Sequence, residues 1–244
     1  MKLENFQNII TLEKVDSTNT YLKRYSNSMP DGTVVFSREQ TAGKGRLMRK
    51  WFGEKDKSVC ASFLIKNIYD NVDAIRLSFL FSIAVKTVIT KYIDYNKIAL
   101  KWPNDVLASG KKICGILSEY SKDCVIVGVG LNVFDFLPPE EIDQPWTSIK
   151  SESDMPLDIE IIKKELLESV NSVFIRYCTN SLRDIPMIWF READIKNISL
   201  TIKTNEDVFS GTVKSINNCG VLYVENKSTH EIKNISYGDV TYND

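Results

Sequence analysis

Histidine, paired cysteines and long apolar runs are scarce in this sequence, and each scarcity argues against a class of function. The one histidine, His230, lies in a polar stretch, and we expect it to be structural or exposed. The five cysteines are odd in number, scattered and never spaced as C-x-x-C, which argues against a zinc site and for reduced thiols in a cytoplasmic protein. These cysteines are Cys60, Cys114, Cys124, Cys178 and Cys219.

Membrane and nucleic-acid functions are also disfavoured by composition. The longest apolar helix candidate, 74–93, carries Arg76, Lys86 and Lys91, so we expect a core helix and not a membrane span. The first five residues do not resemble a signal peptide. The net charge of −1 argues against a protein that binds nucleic acid over its whole surface. A chain of 244 residues is long enough for a full core and for two domains.

The most informative segment is 40–51, which reads QTAGKGRLMRKW and is called the basic loop below. Its two glycines permit close approach of the backbone to a ligand, and it contains no acidic residue. Backbone amides and cationic heads together suit an anion, above all a phosphate. The glycines and cations are Gly43, Lys44, Gly45, Arg46, Arg49 and Lys50.

Standard phosphate motifs do not match the basic loop. No glycine stands five residues before Gly43, where a P-loop needs its first, and Met48 stands where the dinucleotide fingerprint needs its third. From the loop alone, a solvated basic hairpin or a nucleic-acid patch remains an open interpretation.

Three further motifs accompany the basic loop. They are DSTNT at 16–20, KWPND at 101–105 followed by GKKICGIL at 110–117, and VGVGLNV at 127–133. Together, and in this order from about residue 12 to 135, these segments resemble biotin–protein ligases. Each motif is weak alone, but four at compatible spacing make a specific match.

The resemblance implies a reaction in two steps. The biotin carboxylate attacks the α-phosphate of ATP and expels pyrophosphate, and a lysine of a biotin carboxyl carrier domain of a carboxylase then attacks the biotinyl-5′-AMP. Both steps develop negative charge on phosphate oxygens, so we expect fixed cations and Mg²⁺ to stabilise them. A site rich in lysine and arginine, without a histidine base, fits this chemistry. The residues that would hold the metal remain unknown.

The biotin-binding residues follow from matching family positions. A ureido ring has one carbonyl acceptor and two N–H donors, so neutral hydroxyls and amides suit it. For Ser17 and Thr18 the alternative is helix capping alone. The predicted biotin-binding residues are Ser17, Thr18, Asn19, Gln40, Gly43, Lys44, Gly45, Arg46, Lys112 and Gly115.

The adenylate-binding residues come from the basic loop and from later strand ends. Arg46 matches a family arginine that contacts the ligand, and Lys44 stands where many members carry arginine. Met48 stands where relatives often have glycine. Trp51 is expected either to stack on adenine or to anchor the loop. The predicted set is Lys44, Arg46, Arg49, Trp51, Asn104, Lys112 and Asn132.

The predicted catalytic residues are Lys112, Arg46, Asp105 and Lys101. Lys112 matches a family lysine that reaches the acyl-adenylate, although it also reads as an ordinary hairpin lysine. A free lysine has a pKa of about 10.4, so the carrier lysine needs help to lose a proton. We expect Asp105 to orient or deprotonate it; the alternative is that Asp105 merely caps a turn.

The predicted fold is α+β, with a mixed sheet, helices mainly on one face, and a small C-terminal SH3-like β-barrel. The resemblance implies the class II synthetase-like fold for a catalytic domain at 1–194 and the barrel at 195–244. Predicted strands are 9–15, 33–36, 58–65, 98–102, 106–107, 112–119, 124–132, 199–203, 207–216, 220–225 and 231–236. Predicted helices are 17–25, 74–93, 157–179 and 182–192, and 138–156 is expected to be loop-rich.

Two alternatives remain beside the biotin–protein ligase. One is a lipoate or octanoate acyltransferase of the same broad fold, which needs no polar ureido pocket. Another is a non-catalytic nucleic-acid or peptide-binding module. Too few residues precede Ser17 for a winged helix-turn-helix, so we expect no DNA binding, and the enzyme is expected to be a monomer or a homodimer.

Overall fold

The computed structural model describes residues 5–67, 72–137, 142, 144–178, 183–204 and 207–242. The strands are β1 Asn8–Leu12, β2 Thr33–Ser37, β3 Ser58–Lys66, β4 Ile98–Lys101, β5 Asp105–Ala108, β6 Lys111–Ser121, β7 Cys124–Asn132, β8 Ser199–Lys203, β9 Val208–Ile216, β10 Leu222–Asn226, β11 Ile232–Ile235 and β12 Asp239–Tyr242. The helices are α1 Thr18–Tyr25, α2 Val72–Ile89, α3 Ile149–Glu152, α4 Ile159–Cys178 and α5 Ile185–Ala193.

Seven strands form one mixed sheet in the order β1-β2-β3-β7-β6-β5-β4. β1 and β2 are parallel and the other neighbours are antiparallel. β7, whose sequence is almost entirely apolar, lies at the centre, as its composition predicts. The predicted α+β class with a mixed sheet is confirmed.

Both faces of the sheet are covered. Val59, Ala61 and Phe63 of β3 pack in the main core with α2, whereas Leu64 packs with Leu22 of α1 in a second, smaller cluster. Successive residues of a strand point to opposite faces, so α1 lies across the sheet from α2. β3 is therefore buried on both sides.

Local sequence signals explain several element ends. The Ser17 side chain accepts a hydrogen bond from the backbone N–H of Thr20 and caps α1. Ser109 and Gly110 both take positive φ in the tight turn between β5 and β6. Within its described residues, the segment expected to be loop-rich contains one short helix, α3. The expected ends of two helices at Thr179 and Leu182 fall outside the described residues.

The second sheet has five antiparallel strands in the order β11-β10-β9-β8-β12 and forms the predicted C-terminal SH3-like unit. Its last strand, β12, is absent from the predicted set. The Trp102 indole N–H donates to the Gly220 carbonyl at 3.0 Å, and the Tyr242 hydroxyl donates to the Leu100 carbonyl at 3.1 Å. These bonds attach the second sheet to the ends of β4. Across the described parts of the chain, no helix is both long and apolar enough to cross a membrane.

Candidate active site

A cavity of about 300 Å³ opens between the basic loop, the middle of the seven-stranded sheet and the segment that follows β7. Its lining includes almost every residue that the sequence motifs single out. The lining residues are Ser17, Thr18, Asn19, Gln40, Lys44, Gly45, Arg46, Arg49, Lys50, Trp51, Phe52, Ala61, Asn104, Asp105, Lys112, Gly115, Ile116, Leu117, Gly128, Val129, Gly130, Asn132, Phe136, Ile142, Gln144, Trp146 and Asp239.

The basic loop folds back as a hairpin over the cavity. Lys44 and Lys50 form an antiparallel bridge, and the Gly45 N–H donates to the Arg49 carbonyl at 2.8 Å. At the tip, Leu47 and Met48 take φ of 52° and 62°, which favours glycine. Gly43 does not line the cavity; its carbonyl accepts from the Trp51 N–H at 2.9 Å and closes the hairpin.

Two arginines of the loop make specific contacts. An Arg46 N–H donates to Asn104 Oδ1 at 3.2 Å, which joins the loop to the turn after β4. Burial lowers the pKa of Arg46, while the carboxylates of Asp239 and Asp105 oppose that shift. The Arg49 guanidinium pairs with the Asp239 carboxylate of β12. The second sheet thus contributes an acidic group, Asp239, to the cavity wall.

Trp51 lies on the floor of the cavity. A Cβ added to Gly130 would overlap the Trp51 indole, and one added to Gly115 would lie 3.1 Å from it. The two glycines of β6 and β7 therefore make room for the ring. Lys112 Nζ lies 6.0 Å from the ring centroid, at the edge of the range for a cation–π contact.

Lys112 and Asp105 form an ion pair of 2.7 Å, with side chains only 18% and 13% exposed. The pairing follows from the register of β5 and β6, which sets Asp105 beside Gly115 and Leu107 beside Lys112. Lys101 does not line the cavity, but it lies close enough for Asp105 to affect it electrostatically. Burial lowers the pKa of Lys101, with Asp105 raising it and Lys112 lowering it further.

Neutral polar groups form the opposite wall. The Gln40 side-chain oxygen accepts from the Thr18 backbone N–H at 2.8 Å, and Ser17 and Asn19 flank Thr18 on α1. Ser17 is thus a helix cap that also lines the cavity, so its capping role does not exclude the predicted contact with biotin. Asn132 lines the cavity and donates to the Thr147 carbonyl at 3.0 Å, which fixes the segment after β7.

An aromatic pair in the segment after β7 was missed by the motif analysis. Phe136 and Trp146 stack with ring centroids 4.6 Å apart and an interplanar angle of 27°. Trp146 also bridges to Lys112, whose backbone N–H donates to the Pro145 carbonyl at 2.9 Å. The sequence signal that could have revealed the pair is an aromatic residue on either side of the start of the predicted loop-rich segment.

The carboxylates of the cavity show whether its lining fits a Mg²⁺ ion. In the described ranges, no three side chains of His, Cys, Asp or Glu cluster as a metal site would require. Asp105 and Asp239 stand singly, each already paired with a cation. Mg²⁺ that is held mainly by substrate phosphates, with one or two carboxylates, needs no protein cage and fits this arrangement.

Comparison with known proteins places the chain in a family. The model of the biotin/lipoate A/B protein ligase family matches residues 11–132, half of the chain. The chain belongs to this family. The resemblance to biotin–protein ligases seen in the motifs is confirmed.

Individual relatives agree with this family. A bifunctional ligase/repressor BirA of Bacillus spizizenii is 28% identical, with 96% of this chain and 74% of the relative aligned. A biotin–[acetyl-CoA-carboxylase] ligase of Mycobacterium tuberculosis is 35% identical over 60% of this chain and 56% of its own length. The solved biotin protein ligase of Aquifex aeolicus, in complex with biotin and ATP, superposes with a TM-score of 0.79 at 25% identity and covers 98% of this chain and 99% of its own.

Proposed function

We propose that this chain is a biotin–protein ligase, which activates biotin with ATP to biotinyl-5′-AMP and transfers biotin to a lysine of a biotin carboxyl carrier domain. One observation carries the proposal: a single cavity joins a neutral polar wall around Thr18 and Gln40 to a cationic wall around Arg46 and Lys112. The first wall suits a ureido ring and the second suits an acyl phosphate. The relatives named above are ligases of this kind.

In the first half-reaction, the cationic wall opposes the charge that develops on phosphorus-bound oxygens. Arg46 is held by Asn104, so its guanidinium is oriented before the ligand arrives. Lys112 is held by Asp105, so its ammonium stays on the same side of the cavity. Preoriented cations in a closed site cost little reorganisation when charge develops, and this lowers the barrier. Mg²⁺, when bound with ATP, would neutralise the phosphates, and Asp105 or Asp239 could each supply one carboxylate.

Adenine needs a flat apolar surface beside the phosphates. The stacked pair Phe136 and Trp146 provides one on the cavity wall, and Trp51 provides a second aromatic surface on the floor. We assign the base to Trp146, because its main-chain bridge to Lys112 ties it to the cationic wall. Arg49 and Lys44, at the outer edge of the basic loop, then face the leaving pyrophosphate.

In the second half-reaction, the amine of the carrier lysine attacks the acyl carbon of the adenylate and AMP leaves. The amine must lose a proton, and Asp105 is the carboxylate that pairs with Lys112 on the cationic wall. Because Asp105 pairs with Lys112, its first proposed role is to orient Lys112. Its second proposed role is to accept the proton of the carrier lysine. We further propose a catalytic domain at 1–194, a barrel at 195–244 and a cytoplasmic location.

Calorimetric titration tests this function. Biotin is added alone and then with ATP and Mg²⁺, and the products are analysed by mass for biotinyl-AMP. Biotin binding with a biotinyl-AMP product, and pyrophosphate exchange that depends on biotin, would support the ligase. Absence of biotin binding in both conditions would contradict it and would favour lipoate or octanoate transfer on the same fold.

A further inference from the structure

Five polar side chains lie in a continuous row from β6 to the start of the basic loop, each within hydrogen-bonding distance of the next. In order they are Glu119, Asn19, Ser62, Thr18 and Gln40, called the polar relay here. Asn19, Ser62 and Thr18 are buried, with at most 3% of each residue exposed. Thr18, Asn19 and Gln40 line the cavity, whereas Ser62 and Glu119 lie behind it.

One end of the relay is oriented by β6. The Asn19 amide nitrogen donates to Glu119 Oε2 at 2.9 Å and to the Leu117 carbonyl at 3.2 Å. Both partners are acceptors, so the NH₂ group of Asn19 must face them and its oxygen must face Ser62 Oγ, which lies 2.6 Å away. Gly128 leaves space for this amide, because a Cβ there would overlap Asn19.

The other end is oriented by the start of α1. The Gln40 oxygen accepts the backbone N–H of Thr18 at 2.8 Å, so an oxygen and not an NH₂ group faces Thr18. Thr18 Oγ1 lies 3.1 Å from this oxygen and 2.7 Å from Ser62 Oγ. The relay therefore has an acceptor at each end and two hydroxyl groups in between.

Two hydroxyl protons must serve three oxygen–oxygen contacts among these described side chains. The amide oxygen of Asn19 can only accept, so the Ser62 proton belongs in the 2.6 Å contact to Asn19. The Thr18 proton then belongs in the 2.7 Å contact to Ser62. The contact left without a proton is that between Thr18 and Gln40, which is the longest of the three at 3.1 Å.

We propose that Glu119 and Ser62 are positioning residues that fix the direction of this relay and so make Thr18 an acceptor towards the cavity. The missing hydrogen between Thr18 and Gln40 is supplied by an N–H of the ligand. The inference rests on the proposed function, because the ureido ring of biotin carries N–H groups of this kind. Two residues outside the cavity thus decide whether its polar wall accepts or donates hydrogen bonds.

The test compares biotin with its two cyclic carbamate analogues, in which one ring N–H is replaced by oxygen. In the wild-type protein, the analogue whose oxygen faces Thr18 meets acceptors only, so it should bind about a hundredfold more weakly than biotin. In Ser62→Ala, the Thr18 hydroxyl loses its internal acceptor and can donate to that ring oxygen. The dissociation constant of this analogue divided by that of biotin should then be at least tenfold smaller than in the wild-type protein, as measured by calorimetry.

Variants of Glu119 show whether this residue sets the direction of the hydrogen bonds in the relay or only supports the structure around Asn19. Glu119→Ala should lower the same ratio severalfold, and Glu119→Gln should restore it because its side-chain oxygen still accepts from Asn19. Glu165→Ala is the matched control, because Glu165 likewise accepts a hydrogen bond from a neutral donor, the Tyr92 hydroxyl, but does not lie next to the cavity lining. In Glu165→Ala, the ratio of the dissociation constants of the analogue and biotin should equal that of the wild type. Thermal unfolding confirms that each variant is folded.

Two results would overturn the proposal. If Ser62→Ala weakens biotin and both analogues by one common factor, Ser62 is only structural. If the wild-type protein binds biotin but does not discriminate against either carbamate, the direction of the relay has no role in recognition, although the proposed function stands. Failure of the wild-type protein to bind biotin at all would contradict the proposed function itself.

Discussion

The guanidinium of Arg49 in the basic loop pairs with the carboxylate of Asp239 in β12, so the loop and the second sheet meet at the mouth of the cavity. The pair is half-exposed, at 58% and 38% of the two side chains. Desolvation raises the pKa of Asp239, but Arg49, Arg46 and Lys101 outweigh it and hold the pKa below its ordinary value. Asp239 is thus a counter-ion for the cations that we assign to phosphate binding.

We predict that Asp239→Asn lowers the KM for ATP by roughly three- to tenfold. A carboxylate beside the phosphate-binding cations repels the incoming triphosphate, and removing its charge relieves that repulsion. Stability should change by less than about 1 kcal/mol, because exposed ion pairs contribute little. Biotin-dependent pyrophosphate exchange gives the KM, and Asp56→Asn, which breaks the comparable pair with Arg38, is the control. A higher KM in Asp239→Asn would show instead that Asp239 helps to bind ATP, through Mg²⁺ for example.

Arg46→Ala should slow the formation of biotinyl-AMP by about a hundredfold, since it removes a preoriented cation from the developing charge. Arg46→Lys should recover only part of the rate, because an ammonium cannot fork onto an anion. Single-turnover formation of biotinyl-AMP measures both. Arg24→Ala removes an exposed arginine paired with Asp16, and its rate should stay unchanged. An equal loss in both alanine variants would argue against a specific role for Arg46.

The sequence predicts most strands of the large sheet because their burial leaves a local pattern. β7 is apolar along its length, and it proves central. β12 could not be predicted in the same way: the only buried residue within Asp239–Tyr242 is Val240, and the strand exists through its pairing with β8, far away in the chain. Local patterns reveal burial, whereas long-range partners decide whether a short polar segment becomes a strand.

The same limit applies to the site. The motifs that resemble biotin–protein ligases group Thr18, Arg46 and Lys112 as predicted ligand-binding residues, and all three line one cavity. Ser62 and Glu119 carry no motif, and they reach Asn19 across 43 and 100 residues of sequence. Their contacts depend on strand register, which the sequence alone does not provide.

We predict that Trp146→Ala raises the KM for ATP by about tenfold and leaves the affinity for biotin within about twofold. The indole stacks on Phe136 and forms part of the proposed adenine surface, and stacking of this kind contributes about 1 kcal/mol beyond area burial. Trp146→Phe keeps an aromatic ring and should restore most of the ATP affinity. Calorimetry with biotin and exchange kinetics with ATP provide the two values. A large loss of biotin affinity in Trp146→Ala would place the ring against biotin instead.

The ion pair of Asp105 with Lys112 allows the two half-reactions to be separated. Asp105→Asn keeps the shape of the side chain but removes the charge that orients Lys112 and that can accept a proton from the carrier lysine. We therefore expect transfer from preformed biotinyl-AMP to slow by about a hundredfold, within the range attributed to general acid–base groups. Formation of biotinyl-AMP should slow less, because Lys112 keeps its charge.

Rapid mixing of preformed biotinyl-AMP complex with a biotin carboxyl carrier domain, followed by mass analysis of the carrier, measures this transfer. Asp207→Asn is the control, because Asp207 pairs with Lys233 at the same 2.7 Å, but in the second sheet. The pH dependence distinguishes the two roles of Asp105. If Asp105 accepts the proton, raising the pH should recover part of the rate in Asp105→Asn, since more of the carrier amine is then neutral. If the transfer rate of Asp105→Asn is reduced by the same factor at every pH, Asp105 only orients Lys112. Transfer at the wild-type rate in Asp105→Asn would exclude both roles.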